Sequence, residues 1–131
     1  MDAQLDVIGM VVEDMGRSLA FYRLLGFDLP PEADSKPHVE TSLPGGLRLA
    51  WDTADVVRSF HPDWEPPSGG QRMSLAFRCD SPAGVDAAYE EIVAAGYAGE
   101  KPPWDAFWGQ RYAILRDPDG NGVDLFAPLN P

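Results

Sequence analysis

Hydrophobic and polar positions along this chain follow one order of elements, and that order occurs twice. Residues 5–12 form an apolar run with β-branched members, which predicts a buried strand. Asp14 then offers a carboxylate to cap a helix, and Leu19, Tyr22 and Leu25 give the spacing of an apolar helical stripe. Gly26 stands where a left-handed residue closes such a helix, followed by Phe27. In the second half, residues 73–79 predict a strand, Ser81 a cap and Pro82 the first helical position. Val85, Ala88, Tyr89 and Ile92 fall at i, i+3, i+4 and i+7, and Gly96 and Tyr97 mirror Gly26 and Phe27. Strands are expected at 38–43 and 47–52 around a Pro-Gly-Gly turn. Two more are expected at 110–116 and 122–126 around Asp117-Pro118-Asp119-Gly120-Asn121. A repeated strand–helix–strands unit indicates an internally duplicated domain. Modules of about 1–64 and 72–131 are expected within one domain covering 1–131, joined by a Pro- and Gly-rich crossover at 60–70.

Composition narrows the classes. A chain of 131 residues with 44% hydrophobic and 24% charged residues is long enough for one buried core. No apolar run approaches the roughly 20 residues that span a bilayer. Acidic residues stand near the N-terminus where a signal peptide carries basic ones, so a cytoplasmic location is expected. Cys79 is the single cysteine, which excludes an intrachain disulfide and a Cys-based zinc site. The net charge of −11 repels nucleic acid and anionic membranes and favours cationic or electron-poor small molecules. There is no Walker loop, no nucleophile elbow and no dinucleotide fingerprint.

Two βαβββ modules carrying Val12-Glu13-Asp14-Met15-Gly16-Arg17-Ser18-Leu19-Ala20-Phe21-Tyr22 and Asp117-Pro118-Asp119-Gly120-Asn121-Gly122-Val123-Asp124-Leu125 resemble the vicinal oxygen chelate superfamily, also called the glyoxalase, bleomycin-resistance and dioxygenase group. The resemblance implies an α+β fold, with the two modules forming a curved mixed sheet, helices outside, and a homodimer of the domain-swapped type. It also implies four metal-ligand positions, which fall near Val7, at Arg48 or Leu49 depending on register, near Ser74 and at Asp124. Only Asp124 is a good ligand. Val7 and Leu49 have no donor, Arg48 is a permanent cation, and a neutral Ser74 is a poor donor. One carboxylate does not make the three or four protein ligands of a catalytic transition-metal site, so no metal and no other cofactor is expected.

Without a metal, recognition would rest on shape and apolar contact. Alternation in an extended 108–116 segment puts Trp108, Gln110, Tyr112 and Ile114 on one face, with Trp104 and Phe107 ahead of them in a rim loop. Leu47, Leu49 and Trp51 alternate likewise in the first half, and Trp51 and Tyr112 are open to either a core or a ligand role. The runs 32–38, 47–53 and 108–114 further resemble mitomycin-binding resistance proteins of antibiotic-producing bacteria. That resemblance implies a planar ligand between His38 and Trp108, with the two walls drawn from different subunits. Burying about 200 Å² of ligand contributes on the order of 5 kcal/mol, and stacking about 0.5–1.5 kcal/mol more. Micromolar binding needs about 8 kcal/mol.

The expected function is therefore that of an antibiotic-binding protein without catalysis. It would sequester a planar aromatic or quinone natural product, mitomycin-like or an intercalating peptide antibiotic, for self-resistance or delivery to an exporter. Its ligand-binding residues would be His38, Trp51, Trp104, Phe107, Trp108, Gln110 and Tyr112. The alternatives are a metal-dependent isomerase, lyase or dioxygenase of the same fold, and a metal-free drug-modifying enzyme.

Overall fold

Residues 1–130 are described by the computed structural model, in which the chain falls into two units, Met1–Ser68 and a second that starts at Gly69. The boundary lies inside the expected crossover.

In the first unit, strand β1 (Val7–Val12) runs into helix α1 (Met15–Leu24). Asp14 caps that helix by accepting from the Arg17 N–H at 2.9 Å. Gly26 follows the helix at φ 102°, a value that L side chains rarely adopt. Strands β2 (His38–Ser42) and β3 (Arg48–Thr53) form a hairpin, and β3 also pairs in parallel with β1, in the order β1-β3-β2. The core lies between this sheet and α1. Trp51, Tyr22, Phe21, Leu19 and Val12 are all fully buried there. Trp51 meets Tyr22 edge-on at 5.5 Å and Phe27 at 6.2 Å.

Three features of this unit differ from the expectation. The first module has three strands, because Pro31–Ser35 forms a 3-10 turn where a further strand would mirror the second half. Pro30 and Pro31 lack the N–H groups a ladder requires. Helix α2 (Ala54–Phe60) also has no counterpart in the second half; the Thr53 hydroxyl caps it by accepting from Val56 N–H at 3.3 Å. Lastly, Trp51 is a core residue and not a ligand wall, since it is fully buried.

In the second unit, β4 (Ser74–Arg78) leads to helix α3 (Pro82–Ala94), capped by the Ser81 hydroxyl accepting from Gly84 N–H at 3.0 Å. Strands β5 (Gly99–Ala106), β6 (Gln110–Arg116) and β7 (Gly122–Pro128) complete a sheet in the order β4-β7-β6-β5. Trp104, expected in a loop, belongs to β5. Pro102 and Pro103 mask that strand in the sequence, yet proline is tolerated at a sheet edge, and β5 is the edge strand. Its register shifts between Gly99 and Lys101 and again between Lys101 and Trp104. Helix α3 buries Val85 and Ile92 against the face bearing Ala113, Leu115, Val123 and Leu125. Arg111 fastens the helix to the sheet with two contacts to the Asp86 carboxylate, at 3.0 and 3.3 Å.

The turn between β6 and β7 shows why its sequence is so specific. The buried Asp117 carboxylate accepts from the N–H groups of Asp119 and Asn121 at 2.9 and 2.8 Å, and from the Asn121 amide at 2.9 Å. Gly120 follows at φ 84°. The turn sets the β6–β7 register, which places Ile114 opposite Asp124 and Tyr112 opposite Phe126.

Candidate functional site

Each sheet has one face packed on its helix and one turned away, and the chemically distinctive side chains lie on the faces turned away. On the first sheet these are His38, Glu40, Arg48 and Asp52. On the second they are Ser74, Gln110, Tyr112, Ile114, Asp124 and Phe126. Among the expected metal positions the register decides for Arg48, since Leu49 is buried in the core.

His38 does not present a free ring edge. Its Nδ1 lies 2.5 Å from Asp52 Oδ1 and its Nε2 lies 2.9 Å from Glu40 Oε2. Arg48 extends the network, donating to Glu40 at 2.8 Å and to Asp6 at 2.5 Å. The Asp52 hydrogen bond, followed by that to Glu40, raises the His38 pKa above its ordinary value of 6.5. The same His38 contact, with Arg48, lowers the Glu40 pKa. A raised folded-state pKa means that protonated His38 contributes stability fully below the unfolded value. That contribution is lost as pH rises through the higher folded value. In an NMR titration the His38 ring is expected to show a midpoint above 6.5. Asp52→Asn should move it down further than Glu40→Gln does. A His38 midpoint at or below 6.5 would remove the network from this role.

The second sheet carries an aromatic cluster. Trp108 packs edge-to-face against Trp104 at 6.0 Å, Tyr112 at 5.4 Å and Phe107 at 5.1 Å. Its indole N–H donates to Gln110 Oε1 at 2.8 Å, which fixes the ring. Gln110 thus uses its carbonyl to orient Trp108. Trp108 remains 49% exposed, and Phe107, at the tip of the β5–β6 turn, is 96% exposed. Gly109, at φ 92°, closes that turn. The Lys101 ammonium lies over the Trp104 ring at 4.4 Å, and Trp104 meets Trp108 edge-on. Tyr112 stacks on Phe126 with an interplanar angle of 25°.

Beyond Tyr112 the sheet face continues into a cleft of about 200 Å³, whose lining includes Ser74, Ile114, Gly122 and Asp124. The Tyr112 hydroxyl donates to Asp124 Oδ2 at 2.5 Å, and the Ser74 hydroxyl donates to the same oxygen at 3.3 Å. Burial, then the Asp124 hydrogen bond, push the Tyr112 pKa up to about 12, so the phenol remains a donor throughout the physiological range. The sequence placed Ser74 and Asp124 at one site; the cleft-lining Gln71 and Arg72, and the pairing of the Ser74 and Tyr112 hydroxyls with Asp124, were not legible in it. Gln71, which also lines the cleft, donates to the Gly120 carbonyl.

These donors do not fit a metal centre of the type the fold implies. Val7 has no donor, Arg48 is held as a cation by Glu40 and Asp6, and Ser74 and Asp124 are bonded to one another. Among the described residues no group of three or more His, Cys, Asp and Glu side chains is placed to hold a metal ion. Asp52 and Glu40 lie on different ring nitrogens of His38, so the three do not converge on one point. Cys79 is half-buried, and burial raises its thiol pKa, which leaves it a weak nucleophile.

Comparison with known proteins places this geometry. The profile of the Glyoxalase/Bleomycin resistance protein/Dioxygenase superfamily matches residues 4–125. An uncharacterized protein of Mycolicibacterium smegmatis is 30% identical over 128 residues, 98% of this chain and 97% of its own. A glyoxalase/bleomycin resistance protein/dioxygenase family enzyme from Burkholderia phytofirmans superposes with a TM-score of 0.81 at 21% identity, covering 97% of this chain and all of that one. A glyoxalase/bleomycin resistance protein/dioxygenase from Nocardioides gives 0.75 at 28% identity, over 99% of this chain and 86% of its own.

Proposed function

Because the chain belongs to the glyoxalase/bleomycin resistance protein/dioxygenase superfamily, we propose that it uses the face of that fold to bind a planar small molecule and not to transform it. The observation that carries this reading is Trp108. It is half-exposed, locked by Gln110, held at right angles to Trp104 and in contact with Tyr112. A ring with fixed orientation and half of its surface exposed loses little entropy when a flat ligand packs on it.

The ligand class is a planar aromatic or quinone natural product of the mitomycin-like or intercalating peptide type. The protein acts as a homodimer that sequesters the drug for self-resistance or passes it to an exporter. Acidic groups outnumber basic ones by 21 to 10, which favours cationic or electron-poor members of that class.

The test is native mass spectrometry of the purified protein with a panel of planar quinones and quinoline-bearing peptides. The expected result is a complex from which the ligand is recovered unchanged. Steady conversion of the ligand, especially if a chelator abolishes it, would establish catalysis instead. The same spectra report the subunit count.

A further inference from the structure

The proposed stacking site adjoins a carboxylate that is only half engaged. Asp124 receives the Tyr112 and Ser74 hydroxyls on a single oxygen, Oδ2. Its other oxygen, Oδ1, takes no donor, and its carboxylate has no ion pair, among the described residues. It lies in the cleft that continues the sheet face beyond Tyr112, and Tyr112 touches both Asp124 and Trp108. The two hydroxyls orient the carboxylate. An ionised carboxylate is an acceptor only, so the matching group on a ligand is an N–H or ammonium donor.

The other charges of the cleft do not remove this match. Glu100 is paired with Arg116 at 2.5 Å. Arg72 lines the cleft from the exposed segment before β4 and makes no ion pair with Asp124 among the described residues, so it competes with a cationic ligand without occupying Oδ1.

Building on the stacking reading, we propose that the ligand of this site carries a cationic amine on its planar ring system. In this arrangement the ring lies against Trp108 and the amine is received by Asp124 Oδ1. Asp124 is thus a specificity-determining residue: in this protein a carboxylate oriented by Tyr112 and Ser74 reads the N–H donor of a cationic ring system.

The experiment compares two probes of nearly the same ring shape at neutral pH by calorimetry, 9-aminoacridine as the cation and acridine as its neutral analogue. The wild-type protein is expected to prefer 9-aminoacridine by about tenfold or more, the usual effect of a charge-assisted hydrogen bond. Asp124→Asn should bring the two affinities together, and Trp108→Ala should weaken both. Arg72→Gln, a change of an exposed side chain, should widen the preference by removing a competing positive charge. Equal binding of the two probes with dependence on Trp108 would overturn the amine assignment and leave the stacking reading in place. A preference that survives Asp124→Asn, or that narrows in Arg72→Gln, would also overturn it. Binding of neither probe would remove the stacking site and this inference with it.

Discussion

Trp51→Ala is expected to cost about 3–5 kcal/mol of stability, the usual range for deleting a large aromatic from a packed core. The side chain is fully buried between the first sheet and α1, against Tyr22 at 5.5 Å and Phe27 at 6.2 Å. Its removal leaves a cavity that a helix capped by Asp14 and a parallel β1–β3 pair cannot close by a small shift. The neighbouring Tyr22 hydroxyl also reaches Met10 Sδ at 3.2 Å, so the cavity would loosen a connected set of contacts. Trp51→Phe should cost less. It keeps an aromatic ring, and it removes an indole N–H that is buried without an acceptor among the described residues. Urea denaturation measures both variants. If Trp51→Ala unfolds within about 1 kcal/mol of the wild-type protein, the core assignment is wrong and the side chain is free to serve a ligand.

The second large effect belongs to binding. Trp108→Ala should weaken the affinity for a planar ligand by roughly thirtyfold, equivalent to about 2 kcal/mol of lost apolar burial and ring contact. Stability should change little, because the ring is 49% exposed and ends a turn. Trp64→Ala is the comparison. Trp64 follows α2, where Arg58 lies over its ring at 5.2 Å, and its loss should leave affinity near the wild-type value. Calorimetry distinguishes the two. A greater loss in the Trp64 variant would show that the binding wall lies elsewhere. Separating the stability effect at Trp51 from the affinity effect at Trp108 also tests the division between core and site directly.

That division was only partly visible in the residue pattern. Leu47, Leu49 and Trp51 alternate as plainly as Trp108, Gln110, Tyr112 and Ile114, and alternation identifies two faces without saying what covers either. In β3 the apolar parity faces α1, while Arg48 and Asp52 occupy the other face with His38 and Glu40. A one-residue change of register would exchange these sets. A usable signal was present: charged residues at 48 and 52 mark the face turned away from a core. In β6 the small and aliphatic Ala113 and Leu115 go beneath α3, which leaves Tyr112 on the face turned away, in contact with Trp108 of the preceding turn. Strand β5 was hidden by Pro102 and Pro103, whose missing N–H groups matter little at a sheet edge. Helix α2 was hidden because seven residues are too few for a clear periodic stripe.

What the sequence determined alone is local: the helix caps at Asp14 and Ser81, the glycines at 26 and 96, and the Asp117 turn. Each depends on groups within a few residues of one another, so the backbone preference and its hydrogen-bond partner are written side by side. The residue types at the family's metal positions were also readable, because lack of a donor atom does not depend on folding. Tertiary structure alone decided what covers the apolar face of β3, where Trp51 packs on Tyr22 and Phe27, and which carboxylate oxygen the Tyr112 and Ser74 hydroxyls occupied. Those outcomes depend on side chains brought together from strands 12 to 50 residues apart, where pairing register and the covering helix, and no local preference, set the contact.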